Sequence, residues 1–220
     1  MKYKEGFLMT ILKRYGFFIM ILVILSELIV PFVLIAFYPH YNPITMLISD
    51  FGEDGSPTKM VFKMWQLVDG SLFLLAVPSF YERFKRTSKS LAIWLSVMIS
   101  TFAIGDCLVT GIFDRSPSVT TIDIEAMIHD YASGAGFVAL LIAIFLLIKL
   151  YILEENQLAI RGLFIVFILS ACFMFLFAEP KIPIVRELQI PYRGLWQRAN
   201  LLFLYLPFFF VACGNLDFRK

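Results

Sequence analysis

The run Asp106-Cys-Leu-Val-Thr-Gly-Ile-Phe-Asp114-Arg-Ser-Pro-Ser-Val-Thr-Thr-Ile-Asp123-Ile-Glu-Ala-Met-Ile-His129-Asp130 decides how this chain is read. An apolar span ends inside it with an acid still buried in the span. A polar loop crosses Phe113 to Ile128, and the next apolar span opens on His-Asp. The remaining ionisable residues of the apolar spans are expected on this same side of the molecule.

Outward from this run the chain is apolar almost throughout. Of its 220 residues, 60% are hydrophobic and 16% charged, with 24 Phe and a mean hydropathy of +0.81. These values lie outside the range of soluble domains and define an integral membrane protein. The net charge of +2 and the lack of any dense Lys/Arg block exclude a nucleic-acid-binding footprint, so the bilayer is the expected partner. The three cysteines, Cys107, Cys172 and Cys213, lie in apolar runs without a CxxC or His-rich context and read as packing residues.

Apolar segments of about 20 residues suffice to cross a bilayer. They fall at Gly16–Phe37, Met60–Tyr81, Leu91–Phe113, Tyr131–Ile152, Arg161–Ala178 and Leu195–Cys213. The fold expected is therefore an all-α bundle of six transmembrane helices in a single domain. The first run carries Glu27 and Pro31, ends without a small-x-small cleavage pattern, and reads as a retained helix. Of the 19 Lys and Arg, twelve fall on the side of the termini and seven on the other, which predicts cytoplasmic termini and an outward-facing first, third and fifth loop.

The loops carry their own signals. Asn42, Pro43 and Gly52 suit the cap, first position and end of a short helix with Ile44, Leu47, Ile48 and Phe51 on one face, expected at the membrane surface. Asp114-Arg115-Ser116-Pro117 reads as a turn. Thr120 with Asp123 resembles a capping pair, placing Glu125, His129 and Ser133 on one face of the fourth helix. Pro180, Pro183 and Pro191 keep the third outer loop irregular.

Several of these patterns occur together: Tyr41-Asn42-Pro43, Ile48-Ser49-Asp50-Phe51-Gly52, Ser56-Pro57, Gly111-Ile112-Phe113, His129 at a helix start, and Gly194-Leu195-Trp196-Gln197-Arg198. In this order and spacing the chain resembles a bacterial membrane family catalogued as domain of unknown function 998, from about the first span to the last. The resemblance implies a multi-pass membrane protein and supplies no activity and no catalytic residues. Its members commonly carry Pro after Gly-Ile-Phe, where this chain has Asp114.

Ionisable groups inside a span cost roughly 2.5–3.5 kcal/mol each near the centre and mark functional sites. At about 1.5 Å per residue, Asp130 lies at the outer surface, Asp106 roughly 9 Å, Asp69 roughly 13 Å and Glu27 roughly 15 Å below it. Pro31 cannot donate to the carbonyl of Glu27, so a carboxyl and a free carbonyl share one depth. The expected site is an outward-facing acidic pocket for a small polar molecule or a lipid headgroup. Glu27, Asp69 and Asp106 form its floor and wall; His129, Asp130 and Arg198 stand at its mouth. The alternative is that the acids are protonated or paired with Arg198, Asn200 and neighbouring hydroxyls, and only fix packing. No further Asp, Glu or His lies deeper in the spans, which favours a closed pocket over a conduit.

Two other classes stay open: an enzyme acting on a lipid or envelope precursor, with His129 as acid/base and Asp106 orienting it or sharing a metal, and an accessory subunit pairing with a partner helix. Arg198 also reads as an interfacial anchor beside Trp196. With only His40 and His129 available, neither bis-histidine haem nor a three-histidine zinc site is expected, and no cofactor is assigned. No GxSxG, Walker or HExxH element occurs.

Overall fold

The computed structural model describes residues 7–114, 123–182, 184 and 186–216, with the backbone alone at 7–9 and 186. The turn expected at Arg115–Pro117, the cap at Thr120 and Pro183 lie outside the described residues. Six helices are long and apolar enough to cross a membrane: α1 (Phe7–Ile35), α2 (Lys59–Phe84), α3 (Lys89–Ile112), α4 (Ile124–Leu153), α5 (Gln157–Ala178) and α6 (Arg193–Gly214). No strand occurs among the described residues. Helices are the expected outcome, because hydrocarbon offers no partner to an exposed N–H or C=O and only intra-segment bonds satisfy them.

Lipid and protein faces separate along each helix. On α1, Met20, Val23 and Ile24 are buried while Leu22, Ile29, Phe32 and Val33 are exposed; on α2, Phe73, Ala76 and Phe80 are buried while Met60, Val61, Met64 and Val68 are exposed. Helix α5 lies at the edge, with Leu163, Ser170 and Phe177 its buried residues. Cys107 is buried in the core, whereas Cys172 and Cys213 are exposed.

With six spans both ends of the helical chain fall on one side of the bundle. The loops before α2, α4 and α6 lie on the other side, here called the distal end. At the proximal end Arg83 clasps Glu154 through two bonds of 2.7 and 2.8 Å, and Thr87 adds a third. The Arg83 hydrogen bonds hold the Glu154 carboxyl below the usual carboxylate range, with burial opposing. At the distal end Lys59 and Lys63 each reach Asp114 at 2.5 Å, and Lys63 also donates to the Ile112 carbonyl. Burial raises the Asp114 pKa, but the two lysines outweigh it and hold the carboxyl below its ordinary range. An acid thus ties the end of α3 to the first turns of α2.

Three local expectations are revised. The helix from Pro43 to Phe51 is instead a turn, in which the amides of Thr45 and Met46 donate to the Asn42 carbonyl, followed by a 3-10 helix over Ile48–Gly52. The hydrogen-bonding demands of α6 divide it: Gln197 takes the Ile48 N–H at 2.8 Å and Leu195 donates to the Ile44 carbonyl. Leu47, Ile48 and Phe51 consequently face protein and are buried, while Ile44 of the same stripe is exposed. The cap of α4 is Asp123 itself, whose carboxylate accepts from the amides of Glu125 and Ala126. Finally, α3 is not α-helical throughout: Ala103–Val109 is π-helical.

Candidate functional site

The π-helical turn carries Asp106, at a point where α3 meets its neighbours closely. A Cβ added to Gly105 would stand 2.5 Å from the Ala132 carbonyl oxygen, and one added to Gly136 would stand 2.9 Å from Asp106 Cβ. On the opposite side, a Cβ on Gly70 would meet Cys107 Cβ at 2.8 Å. Three glycines on α2, α3 and α4 therefore let the backbones approach around Asp106, as small residues do between membrane helices. The Thr110 hydroxyl donates to the Asp106 carbonyl, supplying a partner where the wider π turn disturbs the ladder. Ser133 on α4 donates to Asp106 Oδ1 at 2.5 Å.

Asp106 faces a cavity of about 50 Å³ at the distal end. All six spans reach it. Glu27 comes from α1, Gln66 from α2, Asp106 and Thr110 from α3, His129, Asp130 and Ser133 from α4, Phe177 from α5, and Gln197 from α6; Lys181 follows α5, and Leu47, Ile48 and Ser49 of the first loop also line it. Glu27 is buried, its Oε2 accepts from Tyr205 at 3.0 Å, and its Oε1 has no partner. At the mouth Lys181 pairs with Asp130 at 2.8 Å. His129 is buried and its Nδ1 lies 3.0 Å from the Phe113 carbonyl.

The expected constellation is thus assembled in part. Glu27, Asp106, His129 and Asp130 share the cavity. Asp69 does not line it: this residue is one turn deeper than Gln66 on α2, buried against Ser26 and Trp65, with Oδ2 unpartnered. It still lies within electrostatic reach of Glu27, as does Asp106, so Glu27 has an acid from each of two other helices near it. Arg198 is also absent from the lining. Its Nη1 donates to the carbonyls of Pro43, Met46 and Gly194 and its Nη2 to the Tyr41 hydroxyl, so it fastens the first loop to α6. Tyr41 in turn donates to the Leu47 carbonyl at 2.7 Å and stacks on Phe51; burial pushes its phenol up to about 12.

His129 and Asp106, the pair expected of an acid/base dyad, each have a described partner elsewhere. The Phe113 carbonyl holds the imidazole and Ser133 holds the carboxyl. Among the described residues no group of three His, Cys, Asp or Glu is placed to hold a metal ion. Sequence reading missed Gln66 and the role of Lys181; a glutamine within the second apolar span, Met60–Tyr81, was the available signal for the first.

Six apolar helices of membrane-crossing length make this an integral, multi-pass membrane protein in contact with the lipid bilayer. The chain belongs to the family described as a protein of unknown function, DUF998, whose model matches residues 21–214. No curated protein and no solved structure matches the chain.

Proposed function

We propose that the protein binds a small positively charged group, an ammonium ion foremost, in the acid-lined cavity, and that this cavity opens at the outer face of a bacterial cell membrane with both termini cytoplasmic. The observation that carries the reading is Glu27 Oε1, buried and without a partner at a cavity that Asp106 also lines. A carboxyl removed from water without a compensating bond is costly, and ionisable groups at such depth mark function. The cluster of Glu27, Asp69 and Asp106 attracts positive charge, and an ammonium brings both the charge and the N–H donors that the open oxygen lacks. Size supports the same reading: at about 10–15 Å³ per water-sized group, a cavity of this volume takes roughly four such groups, too few for a whole lipid headgroup.

Below Glu27 the described spans carry no Asp, Glu or His until Glu82 at the proximal end. This favours a closed binding site over a proton or ion path. The excess of Lys and Arg near the termini supports the orientation.

Calorimetric titration of the detergent-purified protein with ethanolamine hydrochloride, with choline and glycerol as controls, tests the reading. Saturable one-site binding of ethanolamine is expected, lost in Glu27→Gln and Asp106→Asn variants that keep the wild-type helical circular dichroism. Absence of saturable binding by the wild type, or unchanged binding in both variants, overturns it.

A further inference from the structure

Glu27 lines a second space. Between α1 and α6 runs a groove of about 420 Å³ whose walls include Leu28, Phe32, Leu195 and Leu202, with Glu27 and Arg198 among its lining residues. Phe32, Leu195 and Leu202 are exposed on the lipid face, so the groove opens sideways toward the bilayer while the polar cavity opens distally. Glu27, Ile48 and Leu201 belong to both. The buried carboxyl therefore stands where an apolar lateral passage meets a polar chamber.

Two ionisable side chains in this groove lack a charged counterpart. Glu27 is 6% exposed, meets only the Tyr205 hydroxyl, and leaves Oε1 open. Its main-chain carbonyl is also without the usual helical donor, because Pro31 has no N–H. Arg198 donates only to neutral oxygens, three carbonyls and a phenol, and its buried Nε has no acceptor. Among the described residues no carboxylate pairs with it. The groove thus presents an acid, a guanidinium and an apolar wall, a pattern complementary to a zwitterion carrying an alkyl chain.

The geometry points to a phospholipid with an ethanolamine headgroup, its ammonium at Glu27, its phosphate at Arg198 and an acyl chain along Leu28, Phe32 and Leu202. Arg198 lies about 7 Å along α6 from its start at Arg193, and Glu27 about 12 Å along α1 from its end at Ile35. The phosphate accordingly stays near the helix ends, where guanidinium groups bind it well, and the ammonium turns inward. The lipid of the surrounding bilayer is the source, since the groove opens onto it. A choline headgroup offers no N–H to Glu27, and a glycerol headgroup brings no positive charge. This inference rests on the reading of the acidic cavity as an ammonium site and adds the molecule that delivers the ammonium.

Native mass spectrometry of the full chain, presented with equal amounts of phosphatidylethanolamine, phosphatidylcholine and phosphatidylglycerol, tests it. The ethanolamine lipid is expected to dominate the retained adducts by about tenfold, the scale of one charge-assisted hydrogen bond. Glu27→Gln removes that preference. Leu202→Trp, which fills the groove and spares the polar cavity, reduces adducts of the ethanolamine lipid while leaving calorimetric binding of free ethanolamine intact. Equal retention of the three lipids, preference for phosphatidylglycerol, or a preference that survives both substitutions overturns the lipid site. If free ethanolamine still binds in that case, the cavity reading stands alone; if it does not, both fall.

Discussion

The contact between α3 and α4 lends itself to a paired test. A methyl group added at Gly136 would stand 2.9 Å from Asp106 Cβ and 3.0 Å from Asp106 N. Comfortable carbon contacts lie near 3.5–4.0 Å, so the helices must separate by several tenths of an ångström, and neither Asp106 Cβ nor Asp106 N is the end of a flexible chain. Overpacking of this kind costs about 1–3 kcal/mol. At roughly 2–4 °C per kcal/mol for a chain of this size, Gly136→Ala should lower the melting temperature by several degrees. The displaced atoms carry the Asp106 carboxyl, so ethanolamine affinity should also fall by about tenfold, equivalent to 1.4 kcal/mol. Gly134 is the control. It lies two residues away on the same helix, and a Cβ there meets nothing within 4 Å; Gly134→Ala should be neutral or stabilising by up to about 1 kcal/mol from helix propensity alone. Thermal unfolding in detergent, monitored by circular dichroism, with calorimetry on the folded variants, measures both. Equal melting temperatures for the two variants would refute the close packing at Asp106, and unaltered ethanolamine affinity in Gly136→Ala would refute its role in shaping the site.

Arg198→Ala should destabilise the first loop strongly, by about 3 kcal/mol, because several acceptors lose a charged donor at once. Tyr41→Phe removes the bond to the Leu47 carbonyl and one Arg198 acceptor and should cost about 1 kcal/mol; limited proteolysis within residues 42–52 ranks the two. Glu154 supplies a pH test. Its folded-state pKa is depressed, so its contribution is fully present above the ordinary glutamate value of about 4.3 and is lost as pH falls through the lower folded value. Glu154→Gln should therefore lower stability by about 1 kcal/mol at neutral pH, and the difference should vanish in acid; a difference that grows as pH falls would show that Glu154 is not held as a carboxylate by Arg83.

Asp114 illustrates what sequence alone leaves open. The helix ends at Ile112 with Phe113 extended, and the aspartate that follows pairs with two lysines of α2. The lysines were visible in the chain as loop charges, and their shared partner was not. Arg198 was read as a mouth residue because it sits near the start of its span. Its reach toward Pro43 and Met46 depends on the backbone of the first loop passing within 2.2 Å of where a Gly194 Cβ would stand, a distance that no local pattern encodes.

The number, length and order of the six spans were determined by the sequence, since runs of about 20 apolar residues can only satisfy their backbone in hydrocarbon as helices. So was the presence of costly acids at particular depths, because rise per residue fixes depth once a span is placed. Rotation about each axis was decided by tertiary structure. These helices are apolar nearly all round, so no polar face orients them, and small residues such as Gly70, Gly105 and Gly136 set the contacts instead. That packing turned Glu27 and Asp106 toward one cavity and left Asp69 beneath it.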